Sequence, residues 1–203
     1  MSSPCFVAIG DSFTARVEPP APPFADLVAA LLPGWRYANL AVPGARCGEV
    51  RAGQLGPALA LRPELVSVIC GANDVVRTTR PQIEDFADDF DEILLRLRSA
   101  LPAASIVTAT YPAVGEFLPL RSRTRARVTS GLNEVNTIVR RSSARHGAVC
   151  LELADHPGRG DRSNYAADGF HPSAAGHRKA ALVFTACLRD QLGIRLDPEE
   201  AAA

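Results

Sequence analysis

The chain has 203 residues, 47% of them hydrophobic, and its 22 lysine and arginine residues balance 22 aspartate and glutamate residues. This length suits one domain with a sizeable core and is short for two full domains. Because a chain without net charge lacks the field that attracts nucleic acids or anionic membranes, we expect neither of them as a partner.

Short apolar runs alternate with amphipathic segments in the first third of the chain. Residues 5–9 are continuously apolar, which is typical of a parallel strand buried on both faces. Residues 24–32 have helical spacing and stop at Pro33 and Gly34. The pattern then predicts a strand over residues 37–42, a helix over 49–61 and a strand over 65–70.

The alternation continues to the end of the chain. Pro81 opens a long amphipathic helix whose apolar residues recur at steps of three and four, namely Ile83, Phe86, Phe90, Ile93, Leu94 and Leu97. We predict a strand over 105–110, a helix over 124–146 that Gly147 ends, a strand over 148–153 and a closing helix over 173–192. Ser173 is the expected N-cap of that last helix.

Five strands that alternate with five helices indicate an α/β fold with a five-stranded parallel sheet. Right-handed crossovers would place helices on both faces of that sheet. No linker, change of composition or internal repeat divides the chain. We therefore expect a single domain over residues 1–196 and a disordered tail over 197–203.

The start of the chain and its cysteines bear on the compartment. No basic segment followed by a long apolar stretch opens the sequence, and the run at residues 5–9 is too short for a signal peptide or a membrane span. Five cysteines lie far apart without C-x-x-C spacing, which favours buried thiols over disulfides, metal ligands or a nucleophile. We expect a cytoplasmic protein, although loss of a signal peptide would leave the same pattern.

Chemically useful residues follow the predicted strands, where parallel sheets gather their functional groups. The first strand runs into Gly10, Asp11 and Ser12. A serine at this position exposes its hydroxyl above the sheet, so Ser12 is a candidate nucleophile, and its N–H can face a developing oxyanion. The alternative is that Asp11 and Ser12 only begin a turn.

Two further candidates follow the second and third strands. Gly44 can bring a backbone N–H close to a ligand, or it can be an ordinary turn glycine after proline. Asn73 can present its side-chain amide to a negative oxygen, or it can close an Asx-turn. Asp74 is expected to fix that turn, and it is also a candidate for the wall of a substrate pocket.

A long loop over residues 154–170 ends in Asp168, Gly169, Phe170 and His171. Loops of this length usually serve a functional site. An acid three residues before a histidine can accept from one ring nitrogen and leave the other to act as a base. The alternative is an Asx-turn beside a surface histidine.

In this order, the four blocks resemble the SGNH hydrolases, a GDSL-like family of esterases and lipases. Gly10-Asp11-Ser12 resembles the G-D-S signature, Gly44 the second block, residues 71–74 the G-x-N-D block and residues 168–171 the D-x-x-H block. The resemblance implies a flavodoxin-like α/β/α fold and no metal or other cofactor. It implies a triad of Ser12, Asp168 and His171 and an oxyanion hole formed by Ser12, Gly44 and Asn73.

The same resemblance implies hydrolysis of a small or medium acyl ester through an acyl-enzyme, by a monomer or small homo-oligomer. An acyltransferase or thioesterase of a biosynthetic pathway, with the same triad, is the first alternative. A non-catalytic flavodoxin-like module for a nucleotide or flavin is the second. Against that module, no G-x-G-x-x-G follows the first strand, and Asp11 would repel phosphate there. The missing G-x-S-x-G argues against a standard α/β-hydrolase.

The substrate side of the site is less determined. Phe13, Tyr111 and Phe170 join Asp74 as pocket candidates, and the apolar segment over residues 111–120 either lines an acyl pocket or packs beneath its loop. The loop over residues 15–23 carries four prolines and no glycine, unlike many relatives. The cluster of arginines between Arg121 and Arg127 is either a solvated helix start or a site for an anionic substrate.

The three other histidines have other expected roles or lack the motif spacing. His156 beside Asp155 is an alternative base that lacks the D-x-x-H spacing. His177 is expected to pack or cap within the last helix, and His146 is expected to interact with the C-terminus of a helix.

Overall fold

The computed structural model describes residues 3–15, 21–112 and 117–196. Five parallel strands form one sheet in the order β2-β1-β3-β4-β5. The strands are β1 (Cys5–Gly10), β2 (Arg36–Asn39), β3 (Leu65–Ile69), β4 (Ser105–Ala109) and β5 (Val149–Leu151). This order is that of flavodoxin-like doubly wound sheets, so the predicted α/β class is confirmed.

Seven α-helices surround the sheet in the described part of the chain. They are α1 (Phe24–Ala30), α2 (Cys47–Gly53), α3 (Leu55–Ala60), α4 (Ala72–Val76), α5 (Ile83–Ala100), α6 (Ser122–Arg145) and α7 (Ala174–Asp190). One group consists of α1 and α7, which pack together, and α2, α3, α5 and α6 form a second group of contacting helices. Every residue of β1 and β3 is buried, because these central strands are covered on both faces.

The register of the sheet brings the ends of β1 and β3 together. Phe6 pairs with Leu65 and Gly10 pairs with Ile69, so the two strands reach the same edge. In the sheet, β2 lies on one side of β1 and β3 lies on the other, so the strand order reverses beside β1. This edge is therefore the topological switch point of the sheet. Ser12 and Asn73 therefore leave neighbouring strands at the position where such folds bind ligands.

Apolar periodicity predicts the buried face of α5 correctly. Phe86, Phe90, Ile93, Leu94 and Leu97 are all buried in the core, and the rings of Phe86 and Phe90 stack with their centroids 5.5 Å apart. Burying a side chain of this kind contributes about 1.5–3 kcal/mol. The helix is held to the sheet mainly by this stripe.

Three predicted elements differ from the structure. The helix predicted over residues 49–61 is two helices, α2 and α3, because Pro57 has no N–H to donate to the carbonyl of Gly53. The strand predicted over 37–42 ends at Asn39, whose side chain accepts from the N–H of Ala41 in an Asx-turn. The turn predicted at residues 71–74 is the start of α4.

The long loop before α7 also differs from an irregular segment. It contains three short 3-10 turns, at Leu153–Asp155, Pro157–Gly160 and Arg162–Asn164. Ser173 caps α7 as predicted, since its hydroxyl accepts from the N–H of Gly176 at 3.1 Å. The last predicted strand is shorter than expected and covers only Val149–Leu151.

The structure also bears on the cysteines and on membrane-spanning helices. All five cysteines are free thiols, and four of them are buried. Within residues 3–15, 21–112 and 117–196, none of the helices combines the length and apolarity needed to cross a membrane. The predicted tail at 197–203 and residues 16–20 of the proline-rich loop lie outside the described residues.

Candidate active site

The turn after β1 places Ser12 at the carboxyl end of the sheet. Gly10 has a φ of +149°, and a β-carbon there would collide with the carbonyl oxygen of Ile69, so this position requires glycine. The N–H groups of Thr14 and Ala15 both donate to the carbonyl of Asp11, which closes a tight turn around Ser12. Ser12 is 6% exposed, with its hydroxyl directed at an imidazole.

The loop before α7 supplies that imidazole. The hydroxyl oxygen of Ser12 lies 3.0 Å from Nε2 of His171, and Nδ1 of His171 lies 2.5 Å from Oδ2 of Asp168. The other carboxylate oxygen of Asp168 accepts from the N–H groups of Phe170 and His171 at 2.9 and 3.0 Å. Gly169 between them has a φ of +71°, which permits the tight bend.

The electrostatics of Asp168 keep it ionised. Partial burial acts in the opposite direction, but hydrogen bonds from the His171 ring and from two backbone N–H groups lower the pKa of Asp168 below its ordinary value. An ionised Asp168 holds the proton of His171 on Nδ1. Nε2 then faces the Ser12 hydroxyl as an acceptor, which is the arrangement of a serine nucleophile with its base and an orienting acid.

Gly44 and Asn73 follow the two strands that flank β1. Asn73 stands in the first turn of α4, and its Nδ2 lies 3.2 Å from the carbonyl oxygen of Ala45 and 3.4 Å from Oδ2 of Asp11. Gly44 has a φ of +79°. Among the residues that the structure describes, no protein group accepts from the N–H of Ser12 or of Gly44.

Two more side chains, one from α4 and one from the residue after it, bond the Gly44 loop, which is the segment between β2 and α2. The guanidinium of Arg77 donates to the carbonyl of Gly44 at 2.5 Å. The carboxylate of Asp74 accepts from the N–H of Cys47 at 3.1 and 3.3 Å. Together with the contact from Asn73 to Ala45, these bonds fix the loop after β2 to the helix after β3.

Asp11 is a buried carboxyl beside this loop. It is 0% exposed; its Oδ1 accepts from the N–H of Phe13 at 3.0 Å, and the hydroxyl of Tyr111 lies 3.4 Å from its Oδ2. Burial raises the pKa of Asp11 to about 7, although its hydrogen bonds oppose that shift. Burial likewise raises the pKa of Asp74 to about 6. A fixed acidic group therefore lies directly behind Ser12.

Two buried side-chain amides bond the backbone at the ends of strands. Neither was predicted from the sequence. The side chain of Gln54 accepts from the N–H of Gly10 at 2.8 Å and donates to its carbonyl at 2.9 Å. Asn136 pairs in the same two-way manner with the backbone of Tyr111 at 2.7 and 2.8 Å. Each amide thus bonds both the N–H and the carbonyl of a residue at the end of a strand. Arg77 was missed as well, because its contact also joins residues far apart in sequence.

Three of the four predicted pocket residues come together. Phe13, Tyr111 and Phe170 line one cavity, and the rings of Phe13 and Phe170 also contact the ring of His171. Asp74, the fourth candidate, does not join them. Asp74 lines a separate, charged depression with Arg46 and Arg77, because its carboxylate is turned to the start of α2.

The other histidines have structural partners. Nδ1 of His177 accepts from the N–H of Phe24 at 3.3 Å, which ties α7 to the start of α1. Nδ1 of His156 accepts from the N–H of Gly158 at 3.1 Å. Nε2 of His146, which follows α6, lies 3.1 Å from Asp91 of α5. The contact of His177 favours its expected packing role, whereas the ring of His146 pairs with a side chain of α5 instead of the carbonyls that end a helix.

The arginine cluster is partly structural. Arg125 donates to the carbonyls of Leu118 and Leu120, and Arg127 donates to the carbonyls of Val75 and Thr78. These bonds use two of the cluster's guanidinium groups and favour a helix-start role over an anion site. Within the described parts of the chain, no three His, Cys, Asp or Glu side chains are grouped to hold a metal ion.

Fold and site geometry together define an α/β protein with a flavodoxin-like sheet, in which a serine, a histidine and an aspartate form a hydrogen-bonded series. The chain belongs to the GDSL-like Lipase/Acylhydrolase family, whose sequence model matches residues 8–179. It is accordingly a carboxylic ester hydrolase, which confirms the resemblance and the enzyme class predicted from the sequence.

Individual relatives agree with this family. A lipase from Streptomyces rimosus is 25% identical over an alignment of 180 residues that covers 70% of this chain and 67% of that protein. The structure of a lipase/acylhydrolase from Enterococcus faecalis is similar with a TM-score of 0.74, at 21% identity over 97% of this chain and 98% of that one. An acetylxylan esterase from Geobacillus stearothermophilus has a TM-score of 0.70, at 19% identity over 93% and 94% of the two chains.

Proposed function

We propose that the protein hydrolyses small or medium carboxylic esters through an acyl-enzyme on Ser12. The observation that carries the proposal is the series of contacts from the Ser12 hydroxyl to His171 and from His171 to Asp168, at 3.0 and 2.5 Å. His171 takes the proton of Ser12 as the oxygen attacks the acyl carbonyl. It then gives this proton to the leaving alcohol.

The second half of the reaction uses the same groups. Water attacks the acyl-enzyme and loses its proton to His171, and the serine oxygen leaves with that proton as the carboxylic acid is released. Asp168 does not take up the proton; it orients the ring and stabilises the imidazolium that forms in each half. Its position in the loop, with two backbone N–H groups on one oxygen, suits this role.

The oxyanion of the tetrahedral intermediate is stabilised by three donors. We assign this role to the backbone N–H groups of Ser12 and Gly44 and to Nδ2 of Asn73. Donors that are already in place when charge develops lower the barrier without reorganisation. The hydrogen bonds from Asn73 and Arg77 to the Gly44 loop support the assignment, because they fix the positions of Asn73 and Gly44 relative to each other.

The direct test replaces Ser12 with alanine and measures hydrolysis of p-nitrophenyl acetate. We expect kcat to fall by about 10⁴-fold or more, since the nucleophile is lost. Ser130→Ala, which removes a hydroxyl from the α6 surface where it contacts only Glu134, is the matched control and should keep full activity. Unchanged turnover in Ser12→Ala would reject the proposal.

A second readout identifies the nucleophile without relying on rates. A serine-directed phosphonate should label the wild-type chain once, and peptide mapping should place the label on Ser12. The label should be missing from Ser12→Ala and present in Ser130→Ala. A label on another residue would contradict the assignment.

A further inference from the structure

An apolar cavity of about 110 Å³ lies between the carboxyl ends of the sheet and α7. Its floor is formed by strand-end residues, and α7 and the loop before it close the sides; the central lining residues are Ile69, Ala109, Leu151, Leu153, Val183 and Phe184. The proposed reaction steps do not use this space.

Two aromatic rings belong both to this cavity and to the surroundings of the triad. Phe13 directly follows Ser12, and Phe170 directly precedes His171. Their rings meet edge to face with centroids 5.3 Å apart, and they lie 6.0 and 5.1 Å from the ring of His171. Phe13 also contacts Tyr111 edge to face at 5.2 Å. Two aromatic side chains therefore connect the lining of the cavity with the histidine of the triad.

Several polar side chains of the wall have protein partners, and Lys179 pairs with Asp161 at 3.0 Å. Nδ1 of His177 accepts from the N–H of Phe24, and Nδ1 of His156 accepts from the N–H of Gly158. Burial, with the nearby charge of His171, lowers the pKa of His177 to about 4, so this ring is neutral at neutral pH. Apart from Arg159 and Lys179, the lining is mainly hydrocarbon and aromatic, which suits an alkyl chain better than a polar ligand.

The size of the cavity limits what it can hold. An empty apolar cavity lowers stability, because its lining atoms lose contacts. A cavity of about 150 Å³ in another protein binds benzene. By that proportion, this cavity takes about four carbon atoms.

We infer that this cavity is the site for the distal carbons of the substrate's acyl chain, entered between Phe13 and Phe170. The inference rests on the proposed function and specifies its substrate class: esters of medium-length, unbranched acyl groups. With the carbonyl at Ser12, the first carbons of the chain cross the aromatic wall. The terminal carbons fill the cavity and bury their surface there.

The test fills the cavity and measures the acyl-chain preference. Wild type and Val183→Phe are compared on p-nitrophenyl acetate, butanoate, hexanoate and octanoate. We expect kcat/KM for hexanoate and octanoate to fall about tenfold or more, and that for acetate to stay within about twofold. The matched control is Leu182→Phe, which introduces the same aromatic side chain on the exposed face of α7 and should leave the whole series unchanged.

A second variant covers the case in which Val183→Phe does not fold. Ala180→Leu fills the same cavity with an aliphatic side chain at another position of its wall and should also penalise the long esters selectively. An equal fall for all chain lengths, or no fall in either folded variant, would overturn the inference. A different result would reject the proposed function, namely hydrolysis of p-nitrophenyl acetate by Ser12→Ala at the wild-type rate.

Discussion

The two halves of the site are built in different ways. The Asp168–His171 half stands at the surface, with side chains 50% and 38% exposed, and its acid and base are three residues apart. The half formed by Asp11, Asn73 and Tyr111 is buried, at 0%, 6% and 3% exposure, and joins three strand ends. One half is organised by local chain geometry and the other by the packing of the sheet.

This difference separates catalysis from folding. Exposed groups can change without leaving an unpaired polar atom in the core, so changes in the Asp168–His171 half should affect rate and leave stability nearly intact. Buried groups carry a desolvation cost, so changes beside Asp11 should affect stability as well. Four substitutions, from the largest expected loss of rate to the smallest, distinguish the two halves.

Asp168→Asn should lower kcat by about 10³–10⁴-fold, because the amide no longer holds the proton of His171 on Nδ1. The midpoint of thermal unfolding should move by only a few degrees. Asp161→Asn is the matched control, since this exposed acid in the same loop pairs with Lys179 and Ser163. A large loss of stability in Asp168→Asn with modest loss of rate would reverse the proposed division.

Asn73→Ala should lower kcat by about 10²–10³-fold through loss of one oxyanion donor. Because Asn73 is buried, the variant should also lose about 1–3 kcal/mol in urea unfolding, as Asp11 and the carbonyl of Ala45 lose a donor. Asn133→Ala on the exposed face of α6 is the control. If kcat fell without loss of stability, the buried half would resemble the exposed one.

The same division explains how much the sequence could predict. The fold class follows from apolar runs and helical periodicity, both of which are local patterns. Asp168 and His171 are close in sequence, so their contact could be predicted from spacing alone. Their contact with Ser12 could be predicted only from the order of the motif blocks, because Ser12 and His171 are 159 positions apart and no local pattern links them.

The buried half could be predicted only in outline. Gln54, Asn136 and Arg77 act through partners that lie 25 to 44 residues away, and nothing near them in the sequence identifies those partners. The break before α3 did have a signal, because Pro57 cannot continue the hydrogen bonding of α2. The single turn of α4 is too short for a periodic pattern to indicate.

Arg77→Met should lower kcat/KM by about tenfold, with little change in KM. The guanidinium is exposed, yet it holds the Gly44 carbonyl, so the loss tests whether an exposed side chain can orient a donor of the buried half. Arg80→Met on the neighbouring exposed surface is the control, and Arg77→Lys should recover part of the rate. Equal rates in the Arg77 and Arg80 variants would show that the Gly44 loop is fixed without this bond.

Asp11→Asn should have the smallest effect on rate, within about fivefold near neutral pH, because it preserves the shape of the side chain and leaves the triad untouched. Its main effect should be on the pH dependence of stability. Burial raises the pKa of Asp11 from 3.8 to about 7, so between these values the folded protein keeps a proton that the unfolded chain has lost. The free energy of unfolding of the wild type should therefore fall as pH rises through this window, by on the order of 4 kcal/mol in total.

The asparagine variant has no such proton, so its urea unfolding should depend much less on pH. A smaller slope remains, because burial also raises the pKa of Asp74, to about 6, and this residue acts in the same direction. Above pH 8 the variant should be more stable than the wild type, which must keep a desolvated carboxylate beside Asn73 and Tyr111. Equal slopes in the two proteins between pH 4 and 8 would mean that Asp11 is solvated in the folded state, and the buried half would then differ from the exposed half only in its topology.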